Sequence, residues 1–184
     1  MSTQTPLAAE LLSYAKVDTI CYGCTGSGFL KTPAADQQLA ADLEARTGIP
    51  SLTTSASVAD ALRALGAKRI SVASPYEPWL NEKLRVYLTA AGFEILALQG
   101  LGTQAHATIS TERVRVLAAE VVRPETEAIF ISCSNFRTLD IIESIEQSLG
   151  KPVVTSNQAS MWKSLRRLGD RRVIANAGRL FKEA

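Results

Sequence analysis

A single histidine in 184 residues leaves little room for imidazole chemistry. A serine–histidine–aspartate triad or a two-histidine metal site must run through His106 or not exist. Cysteine is scarce too, three in all, with Cys21 and Cys24 close together. An odd, clustered set does not read as a disulfide framework and points to a reducing, cytoplasmic setting. No apolar run approaches the roughly 18 residues of a membrane span, and MSTQTPLAAELL lacks the basic-then-apolar order of a secretory signal. A charge excess is also missing. Twenty Lys and Arg against 18 Asp and Glu leave +2, too balanced for a nucleic-acid reader. Seven basic and two acidic residues gather from Lys163 onward, the pattern of a solvated helix end. Gly23, Gly26 and Gly28 lack the spacing of a phosphate loop and no Lys-Ser/Thr follows them, so neither NAD nor ATP is expected.

What is present is a chain of single-domain length, 46% apolar and 21% charged, in which short β-branched runs alternate with helical patterns. Strands are predicted at 17–22, 51–53, 69–73, 93–98, 128–132 and 153–155. Helices are predicted near 6–15, 34–46, 56–65, 78–91, 111–122, 136–149 and 158–168, with Thr32 and Pro33 opening the second. In 136–149 the residues Phe136, Leu139, Ile142, Ile145 and Leu149 form one apolar stripe. Such alternation implies an α/β fold with parallel sheets covered by helices.

The chain also repeats itself. Residues 48–66 read GIPSLTTSASVADALRALG and residues 150–169 read GKPVVTSNQASMWKSLRRLG. Upstream of each lies a strand ending at a cysteine, in TICYGCTGSGF and in IFISCSNF. Two homologous, pseudo-symmetric Rossmann-like lobes follow, 1–66 and 67–184, with the C-terminal helix and tail a candidate to pack back on the first. Ligands gather at the carboxyl ends of parallel strands, so Cys24 and Cys133 are expected on opposite walls of one cleft. The first lobe has no counterpart of about residues 69–110, so a truncated first lobe is expected. Its uncovered apolar surface would favour a homo-oligomer.

Each site residue has a plainer alternative. Cys24 enters Thr25-Gly26-Ser27-Gly28, a loop whose N–H and hydroxyl groups suit carboxylates and a thiolate. Cys133 precedes Ser134 and Asn135, which are placed to cap the 136–149 helix and turn its positive end on the thiol. Either cysteine alone reads more readily as a buried small residue, and the repeat is what couples them and favours function. Tyr76, after Pro75, is either a hydroxyl for the cleft or a surface residue. His106 is either a solvated loop residue or one near a strand end. Cys21 reads as sheet packing, and a zinc site would need Cys21, Cys24, Cys133 and His106 together.

YGCTGSGF at 22–29, SPYEPWLNEKLRVYLTAAGFE at 74–94, ISCSNFRTLDIIE at 131–143 and GKPVVTSNQASMW at 150–162 together resemble the aspartate/glutamate racemase superfamily. Within it the chain is most similar to the branch of maleate cis–trans isomerases and arylmalonate decarboxylases. The resemblance implies an inter-lobe cleft and catalysis without cofactor. It assigns Cys24 as the nucleophile that adds to the double bond of maleate, giving a succinyl intermediate, and Cys133 as acid/base. The dicarboxylate would be held by Thr25, Gly26, Ser27, Tyr76, Ser134 and Asn135. His106 stands where isomerases carry a further carboxylate-binding asparagine, and Gly28 where a small hydroxyl residue is common. The branch normally begins with a further strand–helix–strand segment. Isomerases and racemases keep both cysteines and decarboxylases only the second, so the resemblance favours isomerisation. Racemase or decarboxylase chemistry, an ectoine-utilisation relative, and a dicarboxylate-binding or inactive protein are the alternatives.

Overall fold

The computed structural model describes residues 4–184. Its strands are β1 (Ile20–Tyr22), β2 (Ser51–Thr53), β3 (Arg69–Ser74), β4 (Glu94–Gly100), β5 (Ala128–Ile131) and β6 (Val153–Thr155). Its helices are α1 (Gln4–Ser13), α2 (Thr25–Phe29), α3 (Pro33–Thr47), α4 (Thr54–Ala64), α5 (Pro78–Ala90), α6 (Thr111–Val121), α7 (Ile142–Leu149), α8 (Ser156–Arg167) and α9 (Leu180–Glu183). Two parallel sheets result, one of order β1-β2 and one of order β4-β3-β5-β6. Every residue of β5 is fully buried, as a central parallel strand covered on both faces requires. Among the described residues no helix is long and apolar enough to cross a membrane.

The internal repeat is visible in the backbone itself. Gly48 and Gly150 end α3 and α7 at φ 70° and 67°, a left-handed conformation that glycine alone adopts at no steric cost. Three residues after each the next strand begins, and its first amide is taken by a glutamate from the helix just ended. Glu44 accepts from Ser51 N–H at 3.2 Å and Glu146 from Val153 N–H at 2.9 Å. Thr53 and Thr155 then leave their strands at φ −116°, ψ 152° and φ −118°, ψ 157°. Each hydroxyl accepts an N–H of the helix it opens, from Ala56 at 3.2 Å and from Gln158 at 3.3 Å. Helices α4 and α8 pack on each other, and each also touches both β2 and β6. Thr54 Oγ1 and Ser160 Oγ meet at 2.9 Å and Lys163 pairs with Asp60 at 2.6 Å across this junction. The two copies are thus related by an approximate twofold axis between α4 and α8.

Two expectations are corrected. The helix predicted over 136–149 begins only at Ile142, after a 3-10 turn at Leu139–Ile141. Residues 134–138 instead satisfy their backbone in a turn, with Phe136 N–H donating to the Cys133 carbonyl at 3.2 Å and the Ser134 carbonyl taken by Asn157. The stretch read as a glycine loop after Cys24 is the short helix α2, because Gly28 allows it to lie against Ser55. The C-terminal tail packs on α7 and α8 of its own repeat. Ala177 carbonyl accepts from Gln158 Nε2 at 2.7 Å, Glu146 from Arg179 N–H at 3.0 Å, and Ala184 carbonyl from Arg166 Nη2 at 2.8 Å. Much of the basic charge after Lys163 is spent in ion pairs, among them Arg167–Glu44, Arg179–Glu183 and Lys182–Glu143.

A Cβ on Gly28 would collide with the Ser55 hydroxyl and stand 2.7 Å from Ser55 Cβ. Gly28→Ala is therefore expected to cost about 1–3 kcal/mol in urea unfolding, and Ser55→Gly in the same chain to recover most of it. Glu127 accepts N–H bonds from Arg69 and Lys68 and pairs with the Arg69 guanidinium, which holds its carboxyl down at about 2. A depressed folded-state value means that this contribution is full above the ordinary carboxylate range and fades as pH falls through it towards 2. Glu127→Gln is expected to flatten the acid limb of the melting-temperature profile over that window.

Candidate active site

Strand register places the two cysteines equivalently. Tyr22 of β1 pairs with the capping Thr53, and Ile131 of β5 pairs with the capping Thr155. Cys24 and Cys133 each lie two residues further on, at the carboxyl end of their strand, where parallel sheets place their ligands. Their neighbours Thr25 and Ser134 meet across the pseudo-twofold axis, Oγ1 to Oγ, at 2.9 Å. The next interactions are paired as well. Ser55 Oγ donates to the Thr25 carbonyl at 3.2 Å, and Asn157 Nδ2 donates to the Ser134 carbonyl at 2.9 Å. The two thiols are close enough that charge on Cys24 raises the pKa of Cys133.

The equivalence stops at the cysteines' own backbones. Cys24 takes the N-cap position of α2 at φ −105°, ψ 97°, with an exposed side chain that makes no capping bond. Cys133 is buried and sits at φ 122°, a region that costs a non-glycine residue about 1–3 kcal/mol. Its surroundings hold it there, with Cys133 N–H donating to Ser156 Oγ at 3.0 Å and the Cys133 carbonyl accepting from Phe136 N–H at 3.2 Å. Burial pushes the Cys133 thiol up, opposed by the N–H groups of Asn135 and Phe136 and by the Tyr76 hydroxyl, all of which favour the thiolate. The Asn135 N–H lies 3.4 Å from Sγ. These loop amides take the place of the helix end expected next to this thiol.

The remaining candidates fall into two groups. Tyr76 is buried, with its hydroxyl accepting from Ser132 Oγ at 3.2 Å, and burial raises its pKa far above the ordinary phenol range. Its ring meets Phe29 edge-on at 6.2 Å and His106 at 5.7 Å. His106 opens a 3-10 turn at His106–Thr108 and brings Nδ1 to 3.6 Å from Cys133 Sγ. Tyr76, His106 and Cys133 therefore form one cluster. Ser27 is tied back on its own segment, with Oγ 2.8 Å from Tyr22 OH and 3.2 Å from the Cys24 carbonyl. Gly26 packs towards α5, where a Cβ would lie 3.8 Å from Leu80 Cδ2. Asn135 contributes its backbone to Cys133, and its side chain is exposed.

Cys21 is exposed on β1, against the expectation of sheet packing, with Sγ 3.9 Å from Thr54 Oγ1. Among the described residues no three of His, Cys, Asp and Glu are grouped to hold a metal ion, so the four zinc candidates are not assembled. Ser132, Ser156 and Asn157 are site residues that sequence reasoning missed. The Ser156-Asn157-Gln158 run reads as helix capping, and only Thr155 and Gln158 serve that end.

The strain at Cys133 is separable from its thiol. Cys133→Gly is expected to be more stable than Cys133→Ala by about 1 kcal/mol in urea unfolding, because only glycine is at ease at this φ. Equal stability of the two variants would mean that the backbone relaxes when the thiol is removed.

The family model for arylmalonate decarboxylase matches residues 3–181. Arylmalonate decarboxylase of Bordetella bronchiseptica is 31% identical over 166 residues, covering 87% of this chain and 69% of that protein. A maleate isomerase of Nocardia farcinica is 31% identical over 182 residues, covering 96% of this chain and 70% of that protein. The crystal structure of a Pseudomonas putida maleate isomerase variant with maleate superposes with a TM-score of 0.94 at 25% identity, covering 98% of this chain and 76% of the other. These relatives are enzymes that isomerise or decarboxylate, and their α/β architecture with parallel sheets is the one described above. The chain belongs to the arylmalonate decarboxylase family, in the aspartate/glutamate racemase-like branch that also holds the maleate isomerases.

Proposed function

We propose that the protein is a cofactor-independent cis–trans isomerase of a small dicarboxylate, with maleate as substrate and fumarate as product. The observation that carries this reading is the pair of cysteines at pseudo-equivalent strand ends, within electrostatic reach of each other. A decarboxylation needs one thiol to deliver a proton, whereas addition and elimination across a double bond use a nucleophile on one face and an acid/base on the other.

In this mechanism the Cys24 thiolate adds to one olefinic carbon of maleate. A C–S bond forms and the π electrons move to the neighbouring carbon, delocalised into its carboxylate. Cys133 Sγ–H gives its proton to that carbon, leaving a succinyl thioether with a single bond that rotates. The Cys133 thiolate then removes a proton from the same carbon, the double bond reforms trans, and the C–S electron pair returns to Cys24. Exposure suits Cys24 to the nucleophilic role. Burial, which favours the protonated thiol, suits Cys133 to the role of acid. The carboxylates would be received by the amides and hydroxyls of Thr25, Gly26 and Ser27, by Ser134 and Asn135, by Tyr76, and by His106.

A second reading, decarboxylation of a substituted malonate through Cys133 alone, is favoured by the family match itself. The two are separated by one set of assays. Isomerisation predicts fumarate from maleate, with an acid-quenched mass adduct on Cys24. It also predicts loss of the adduct in Cys24→Ala and a fall in turnover of roughly 10²- to 10⁴-fold in Cys133→Ala. Release of carbon dioxide from phenylmalonate that survives Cys24→Ala, without any fumarate from maleate, would replace the isomerase by the decarboxylase.

A further inference from the structure

The isomerase reading gives His106 a carboxylate to receive and leaves unused how its two ring nitrogens are placed. Its Nδ1 lies 3.6 Å from Cys133 Sγ, within reach of a sulfur–nitrogen hydrogen bond. Its Nε2 is buried and has no hydrogen-bond partner among the described residues. A buried ring nitrogen without a partner is destabilising unless something else satisfies it. The surrounding chemistry indicates what that is. Thr25, Gly26, Ser27, Ser134, Asn135 and Tyr76 offer neutral donors only, so His106 is the one member of the candidate site able to carry a positive charge.

We propose that His106 is, through Nδ1, the proton partner of Cys133, so that the carboxylate contact already assigned to this residue falls on Nε2. The proposal rests on the dicarboxylate reading and deepens it. In the step envisaged the Cys133 S–H bond breaks, its electron pair stays on sulfur, and an Nδ1–H bond forms. A neutral pair becomes a thiolate and an imidazolium, and nothing is oxidised or reduced. Nε2–H is then a charged donor that lacks a protein acceptor, and a substrate carboxylate supplies one. Proton transfer and anion binding therefore favour each other, as linkage requires. During isomerisation the same proton rests on Nδ1, on Sγ or on the substrate carbon, so the count of protons does not change over the cycle.

The other titratable groups acting on Cys133 are Tyr76 and Cys24. Tyr76 faces both members of the couple but keeps its proton through the working range, because burial disfavours the phenolate. Charge on Cys24 opposes a thiolate at Cys133, and it disappears once Cys24 is bonded to carbon.

The chain's single histidine makes the test direct, since its ring signals in an NMR titration report this group alone. With succinate bound, the ring titration of Cys133→Ser is expected to lie at lower pH than that of the wild type, because the thiolate that the proposal pairs with the imidazolium is missing. Succinate, which has no double bond to react, is expected to move the wild-type titration to higher pH. In His106→Gln, iodoacetamide labelling of Cys133 at pH 7.5, read by peptide mapping, is expected to slow at least tenfold while Cys21 is labelled as before. A ring titration indifferent to Cys133→Ser, together with unchanged Cys133 labelling, overturns the couple. A titration indifferent to succinate overturns the role of Nε2. If ring and labelling behave as expected but maleate is not turned over, the couple stands and the isomerase reading falls.

Discussion

The hydrogen bond between Thr25 Oγ1 and Ser134 Oγ marks the point where the two copies of the repeat meet, and the site is organised around it. Each partner is the residue after a cysteine, so this contact ties together the two strand ends that carry the thiols. It is backed by paired supports, Ser55 on the Thr25 carbonyl and Asn157 on the Ser134 carbonyl. Those supports are aimed in turn by Thr53 and Thr155, which fix the first turns of α4 and α8. The energy of any single bond here is small, about 1 kcal/mol. Its effect comes from joining two rigid strand-to-helix turns that pack on a shared core.

The duplication was legible because the residues that repeat are ones whose backbone role follows from their chemistry. Glycine takes the left-handed exit at Gly48 and Gly150, and threonine accepts the first amides at Thr53 and Thr155. Pairing Cys24 with Cys133 required no more than this frame. What was not legible depends on contacts distant in sequence. The turn at 134–138 has an apolar spacing that suits a helix, yet its backbone is claimed by Asn157 and by Cys133 itself. Helix α2 has two glycines among its five residues and low propensity, and tertiary packing against Ser55 holds it. The approach of His106 to Cys133 joins residues 27 apart through a sheet, which no local pattern reports.

Near-symmetry also exposes what differs. Cys24 is relaxed and open, while Cys133 is strained, buried and backed by loop amides. Strain of this kind persists where surrounding structure over-determines a residue, and Ser156 and Phe136 do so here. The loop bearing His106 lies between β4 and α6, in the part of the second repeat that has no counterpart before β1. The imidazole therefore serves one thiol and not the other. The contrast between the cysteines comes from the scaffolding around each, since the side chains are identical.

On the proposed function, a site that straddles the approximate twofold relation between the two repeats would also constrain how its occupant is oriented. A ligand with two identical ends can enter it in either of two poses, related by half a turn, and the repeated features of the site do not tell them apart. Only the symmetry-breaking features choose, namely the imidazole and the twisted backbone at residue 133. For an occupant whose two halves are interchangeable the choice is immaterial, and every arrival is a usable one. An occupant with unlike ends would meet the proposed site in two inequivalent poses, only one of which sets each end against its own partner.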